Sequence, residues 1–357
     1  MKFYKIKYLV IALFISIQTW AISLDKITIN GYSSFEIEKQ LSQKGAGDKN
    51  ASFDADLLDL VFNFQATDNV RVSMDVTWEH GAATEENKGN VAIEYGFAEY
   101  AVNNKFKIRF GKFLTPFGYF NEIHTAKPSF LSVKEASSTN KTERLAGNGF
   151  RFFPRWGTGI SLKGNLNNTN FTSDYDILIA NGEAQGYDIN QHEEDHRNSK
   201  SITARYRFEA TNNLKLALSG YHDPYPGKDI KSLTSYGILL QYDINKWTIL
   251  FEAVQGKKIT TNPSNKIKQT GYFIQASYSF EHSGFTPYFR YEYVDPNNKI
   301  SKNAGLVYIL GINYEIDESL MLKIEDHLHR GQSQTQDLNK YPNNGYNEIK
   351  IALVVGF

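Results

Sequence analysis

The chain has 357 residues, a formal net charge of zero and no cysteine. The neutral balance excludes bulk attraction to nucleic acid, and the lack of cysteine excludes disulfides from the fold. A mean hydropathy of −0.45, with no run of about 18 apolar residues past the N-terminus, excludes helical membrane spans.

Residues 1–21 read as a cleaved secretory signal. Lys2, Lys5 and Lys7 precede an apolar stretch from Tyr8 to Ile17, and Thr19-Trp20-Ala21 offers a small-residue cleavage site, with Ala21-Ile22-Ser23 as a second option. No cysteine follows that could carry a lipid. Residues 22–357 are then one exported domain.

From there the chain alternates. In "VRVSMDVTW" (70–78) the apolar Val70, Val72, Met74, Val76 and Trp78 interleave with Arg71, Ser73, Asp75 and Thr77. "SITARYRF" (201–208), "YGILLQY" (236–242) and "GYFIQASYSF" (271–280) repeat the pattern. A strand sends successive side chains to opposite faces, so each ribbon has one lipid-compatible face and one polar face. Turns alternate between short Asn/Asp/Gly clusters, such as 103–104, 211–213 and 245–246, and longer polar segments near 42–50, 81–90, 114–155, 181–198, 223–231, 257–268, 295–302 and 331–343. Seven short turns and eight long loops join sixteen strands. An even number of antiparallel strands, most of them about 9–11 residues or slightly longer, predicts an all-β transmembrane antiparallel barrel. Lipid leaves no partner for an open sheet edge, so the sheet must close. A soluble propeller would repeat a sequence unit, and none is visible.

"KFKIRFGKF" (105–113) sharpens the facing. Lys105, Lys107 and Arg109 alternate with Phe106, Ile108 and Phe110. A cation on the lipid face costs about 2–4 kcal/mol at the bilayer midplane, so the aromatic side faces out and the cations face the lumen. Strand four sets Glu94 and Glu99 on opposite faces under strict alternation, which predicts a bulge near Gly96.

The surrounding stretch "GFAEYAVNNKFKIRFGKFLTPFGYFNE" (96–122) resembles the phosphate-selective porin O and P family of the Gram-negative outer membrane. Glu99, Tyr100, Arg109, Gly111, Lys112, Phe113, Pro116, Phe117 and Gly118 carry the resemblance. It implies a trimer of sixteen-stranded barrels, each with its third loop folded into a channel. The longest loop here, 114–155, is the third long one and joins strands five and six. It carries Lys127, Lys134, Lys141, Arg144, Arg151 and Arg155 against Glu122, Glu135 and Glu143, a positive excess that would favour anions at a constriction.

The lumen itself is mixed. Arg71, Lys105, Lys107, Arg109, Lys163, Arg205, Arg207, Lys215, Arg290, Lys323 and Lys350 are balanced by Asp59, Asp75, Glu79, Glu99, Glu209, Glu252, Glu292, Glu325 and Glu348. The dense basic rows of phosphate-selective members are absent, so weak anion selectivity is expected, with Arg71, Glu99, Lys105, Lys107, Arg109, Arg205 and Arg207 as pore-lining candidates.

"HEEDH" (192–196) matches the His-Glu-x-x-His zinc-protease spacing, but it lies in a polar Gly/Asn-rich loop and reads as a surface segment that binds cations or lipopolysaccharide loosely. His124, His222, His327 and His329 sit in no catalytic motif, so neither enzyme chemistry nor a metal or other cofactor is expected. The chain ends on Phe357 within its final strand, in register with Ile349, Ile351, Leu353 and Val355, which resembles the terminal signal read by the barrel-assembly machinery. Asp326 interrupts the apolar face of strand fifteen, and Gly31 and Ser33 thin that of strand one, which points to a subunit seam there. Together these features predict an outer-membrane diffusion channel for small hydrophilic solutes or anions, the rival readings being a barrel enzyme and a plugged structural barrel or adhesin.

Overall fold

The computed structural model describes residues 24–41, 50–79, 91–140, 152–167, 172–182, 198–261, 265–280, 283–331 and 345–357. Sixteen strands form one closed antiparallel barrel. They are β1 (Ile27–Gln40), β2 (Ser52–Gln65), β3 (Val70–Glu79), β4 (Val91–Asn103), β5 (Phe106–Leu114), β6 (Trp156–Asn165), β7 (Thr172–Asn181) and β8 (Lys200–Thr211). The second half comprises β9 (Leu214–Gly227), β10 (Ile230–Ile244), β11 (Trp247–Thr260), β12 (Lys266–Tyr278), β13 (Phe285–Asp295), β14 (Gly305–Glu315), β15 (Leu320–Gly331) and β16 (Tyr346–Gly356). Each strand pairs with its neighbour in sequence, and β1 pairs with β16 to close the ring.

Alternation decides the faces. Phe35, Phe106, Phe110, Ile160, Ile179 and Leu310 are exposed on the outside, while Glu36, Arg109, Asp176, Arg290 and Lys323 are buried within. The outward tyrosines Tyr272, Tyr291, Tyr293 and Tyr308 cluster with ring centroids 5.0–6.0 Å apart, and Trp247 meets Tyr278 at the C-terminal end of β12. Aromatic clusters at two levels of an apolar band are what a barrel in a bilayer presents to the headgroups.

Closure brings the chain end to its beginning. Gly31 and Phe357 exchange both backbone hydrogen bonds, at 2.8 and 2.9 Å. A Cβ on Gly31 would lie 2.4 Å from the Phe357 ring, so the missing side chain is the seat of that ring. The thin outer face of β1 at this position therefore has a local cause.

Two expectations shift. The bulge of β4 falls at Glu94, since Asp75 pairs with Tyr95 and Val76 with Ile93, and it turns Glu94 and Glu99 alike into the buried interior. The segment 223–231 is not a long loop. β9 and β10 continue to a turn at 228–229, and β9 accommodates Pro224 and Pro226. β8 pairs with β9 only as far as His222, so the prolines lie on a free edge where no ladder donor is needed.

Candidate pore and its inward loop

The segment from Thr115 to Asn140, with 152–155, runs inside the barrel. Its sequence explains the entry. Gly118 has φ +66°, and any Cβ there would approach Glu252 Oε1 to 2.7 Å. That turn drives Phe117 inward to stack on Phe153 at 4.3 Å, and the Tyr119 N–H donates to Glu252 Oε2 at 2.7 Å. Phe120 and Phe130 meet edge to face and pack with Leu250 and Phe273 of the wall.

Wall charges hold the loop. Lys323, fully buried, donates its ammonium to the carbonyls of Lys127, Phe130 and Ser132 at 2.6, 2.5 and 3.1 Å, which uses all three of its donors. Arg290 donates to Ser132 Oγ and to the Lys134 carbonyl. Glu325 accepts from the Val133 N–H at 2.9 Å and Glu292 from the Ser138 N–H at 3.0 Å. On the adjoining wall of β1, β2 and β4, Lys127 pairs with Glu36 and Asp56, Lys134 reaches both at 2.6 Å, and His124 Nε2 meets Glu94 at 2.6 Å. Burial alone would lower the Lys134 pKa, but the carboxylates of Asp56, Glu36 and Glu38 outweigh it and raise it well above the ordinary value.

This changes the meaning of the constriction residues. Lys127 is 3% exposed, and both it and Lys134 are neutralised by the acidic wall of β1 and β2. Arg155 pairs with Glu135 at 2.8 Å. Lys141, Arg144 and Arg151 lie outside the described residues, as do the signal segment and "HEEDH".

Cavities remain between the loop and the wall. A cavity of about 260 Å³ is lined by Arg71, Arg109, Lys163, Glu122 and Asp176 together with the rings of Tyr95 and Phe97. A second, of about 260 Å³, is lined by Asp174, Arg207, Glu209 and Lys215. It shares Tyr119 and Gln241 with a third, of about 280 Å³, beneath the loop.

The row of three cations divides into three environments. Lys105 departs from the strand expectation: it sits in the tight turn before β5 and is exposed. Lys107 is half-buried and lies directly across from Lys163, and neither makes an ion pair among the described residues. Arg109 is buried, pairs with Asp176 at 2.5 Å, donates to Ser161 at 2.7 Å and faces the Phe97 and Phe113 rings. The other candidates are paired too: Arg71 with Glu99 at 3.1 Å, Arg207 with Asp174 at 2.9 Å, and Arg205 with Glu122 of the loop. Burial would raise the Glu122 pKa, but Arg205, Lys163 and Arg207 overcome it and hold the carboxyl at about 2. Asp174, Asp176, Glu36 and Asp56 were absent from the sequence-based lumen set. Alternation in "SDYDILIA" (173–180) was the signal available for the first two.

Comparison with solved structures decides the fold class. The anion-selective porin from Comamonas acidovorans superposes with a TM-score of 0.68 at 12% identity, covering 93% of this chain and 99% of that one. The fold is that of the outer-membrane porins. OmpF of Salmonella typhi matches with a TM-score of 0.62 at 10% identity over 94% and 99% of the two chains. A trimer form of OmpT, an outer membrane protein of Vibrio cholerae, matches at 0.61 and 13% over 93% and 99%. In sequence, an uncharacterized protein of Aquifex aeolicus is 29% identical over 108 residues, which is 30% of this chain and 24% of that protein. The matched part is thus about a quarter of that relative's length. No family model matches the chain.

Proposed function

We propose that this porin-fold barrel is an outer-membrane channel through which small hydrophilic solutes diffuse passively, with a weak preference for anions. The observation that carries the reading is the facing pair Lys107 and Lys163, which make no ion pair among the described residues, whereas Arg71 is neutralised by Glu99 and Arg109 by Asp176. Fixed charge around a narrow aqueous passage biases the ions that enter it. The solved porin from Comamonas acidovorans is anion-selective by its description, which agrees in sign. The resemblance of residues 96–122 to phosphate-selective porins places phosphate among the anions to test, but most of the wall cations are paired, so discrimination is weak.

The reading extends to the cell. The chain is exported by its N-terminal signal, assembled through recognition of Phe357 and seated in outer-membrane lipid beside lipopolysaccharide. It forms a homotrimer whose seam includes β15, where Asp326 interrupts the outer face between Leu310 and Ile349. The transport is passive and uses no enzymatic step.

A plugged barrel is the reading to test against, because the loop is fastened to the wall from β1 round to β15. Single-channel recording in planar bilayers, with salt gradients and ion substitution, separates the two. Steady conductance with a reversal potential displaced toward the anion is expected. Folded protein that inserts without conductance would mean a plugged barrel, and displacement toward the cation would reverse the assigned preference.

A further inference from the structure

We propose that His327, His329 and Glu348 form a binding site for one divalent transition-metal cation of the Zn²⁺ type on the lumen wall, at the long-loop end of β15 and β16. His327 and His329 are two residues apart on β15 and so share a face. Glu348 of β16 lies directly across from His327 in the ladder. One ligand atom from each of the three lies within 4.8 Å of the others. Tetrahedral donors at about 2.1 Å from a metal stand roughly 3.4 Å apart, a closure that small side-chain rotations supply.

The surroundings match those of a metal site. All three residues are buried. Neither ring nitrogen of His329 has a hydrogen-bond partner, although Nε2 lies 3.5 Å from Glu348 Oε2. The His327 Nε2–H donates to Glu325 Oε2 at 2.7 Å, so the lone pair of that ring resides on Nδ1. A carboxylate behind a histidine in this manner fixes tautomer and orientation for metal binding. Glu325 is itself fixed by the Val133 N–H and the Tyr288 hydroxyl. The His329 ring stacks on Tyr346 at 4.2 Å, which limits its rotation. Lys350 lies 3.3 Å from Glu348 but 2.7 Å from Glu38, so a partner remains for the lysine when Glu348 turns to a cation.

The donor set selects the ion class. Two imidazoles and one carboxylate suit Zn²⁺ and its first-row neighbours, whereas Mg²⁺ and Ca²⁺ require oxygen donors. Three protein donors leave coordination positions for water or a lumen solute.

The test uses the full-length, tag-free protein folded in detergent and stripped with a chelator. Zn²⁺ is titrated against a chromophoric competitor, and Co²⁺ absorption reports the donor geometry. One Zn²⁺ per chain is expected, with affinity reduced at least tenfold in His329→Ala and in the isosteric Glu348→Gln, and unchanged in His192→Ala/His196→Ala. Heat-modifiable gel mobility confirms that each variant is folded, and the isosteric Glu348→Gln carries the test where His329→Ala does not fold. Absence of Zn²⁺ binding by the wild type overturns the proposal. So does binding that disappears with His192 and His196 but survives His329→Ala.

Discussion

Replacing Lys107 and Lys163 together by Gln should move ion selectivity toward cations without unfolding the barrel. The two lysines face each other across β5 and β6 and have no ion-pair partner among the described residues. Their removal relieves a like-charge contact that costs about 0.2–1 kcal/mol. Each acts on a passing ion from about 8 Å, which at a dielectric constant near 80 is worth roughly 0.5 kcal/mol. Screening with a Debye length of about 10 Å at 0.1 M leaves about 0.2 kcal/mol per charge. Two charges, acting with opposite sign on anion and cation, change the permeability ratio about fivefold. At 1 M, where the Debye length is about 3 Å, the same change shrinks to roughly 1.3-fold. Reversal potentials in KCl gradients at both ionic strengths measure this directly. An open channel whose reversal potential is unmoved at low salt would refute the assignment of this wall to the passage. Arg109→Gln is the contrasting case. It strands Asp176, which is 1% exposed, at a cost of about 3–5 kcal/mol for breaking a buried pair. It should therefore lower the temperature at which the folded band disappears on gels, whereas the lysine pair should not.

Three further outcomes follow from the loop and the closure. Lys323→Met removes the three hydrogen bonds that gather the carbonyls of residues 127, 130 and 132; larger, noisier single-channel currents are expected, and unchanged currents would mean the apolar contacts suffice to hold the loop. Gly31→Val should displace the Phe357 ring and slow assembly much as deletion of Phe357 does; the two changes combined should be little worse than either alone, and full additivity would separate the two residues. Two of the loop's ion pairs, Glu122–Arg205 and Lys134–Asp56, should be insensitive to pH between about 4 and 10. The Glu122 contact contributes fully above the ordinary carboxyl pKa and is lost as pH falls through about 2, while the Lys134 contact contributes below the ordinary ammonium pKa and is lost only above its raised value. A fluorophore on Ser129→Cys, in a chain with no other cysteine, reports loop motion by anisotropy; Glu122→Gln should loosen the loop at neutral pH, and anisotropy unchanged by that substitution would contradict the ion-pair account.

The sequence made the strands legible because period-two alternation and Asn/Asp turns are local. It misplaced the end of β9, where Pro224 and Pro226 look like breakers until the neighbouring strand is known to stop at His222. Partner choice was hidden for a different reason. Alternation tells that Arg109 faces the lumen but not that Asp176, 67 residues on, meets it there. Lys350 and Glu38 are 312 residues apart. Such pairs depend on register accumulated around the closed ring, which no single ribbon encodes.

Register also resolves why a lumen of mixed charge can still be biased. Read along the chain, acids and bases in the interior nearly cancel, and the formal net charge is zero. Around the barrel they segregate by task. Glu36 and Asp56 take the loop lysines, Glu292 and Glu325 take loop N–H groups, and Lys323 takes loop carbonyls. Those charges are consumed in fastening the loop and are buried from the passage. On β5 and β6, Lys107 and Lys163 face each other and are not tied to a carboxylate within ion-pair distance among the described residues. A composition balanced overall is therefore consistent with a lumen in which two facing lysines stay unpaired while other wall charges are taken up by the loop.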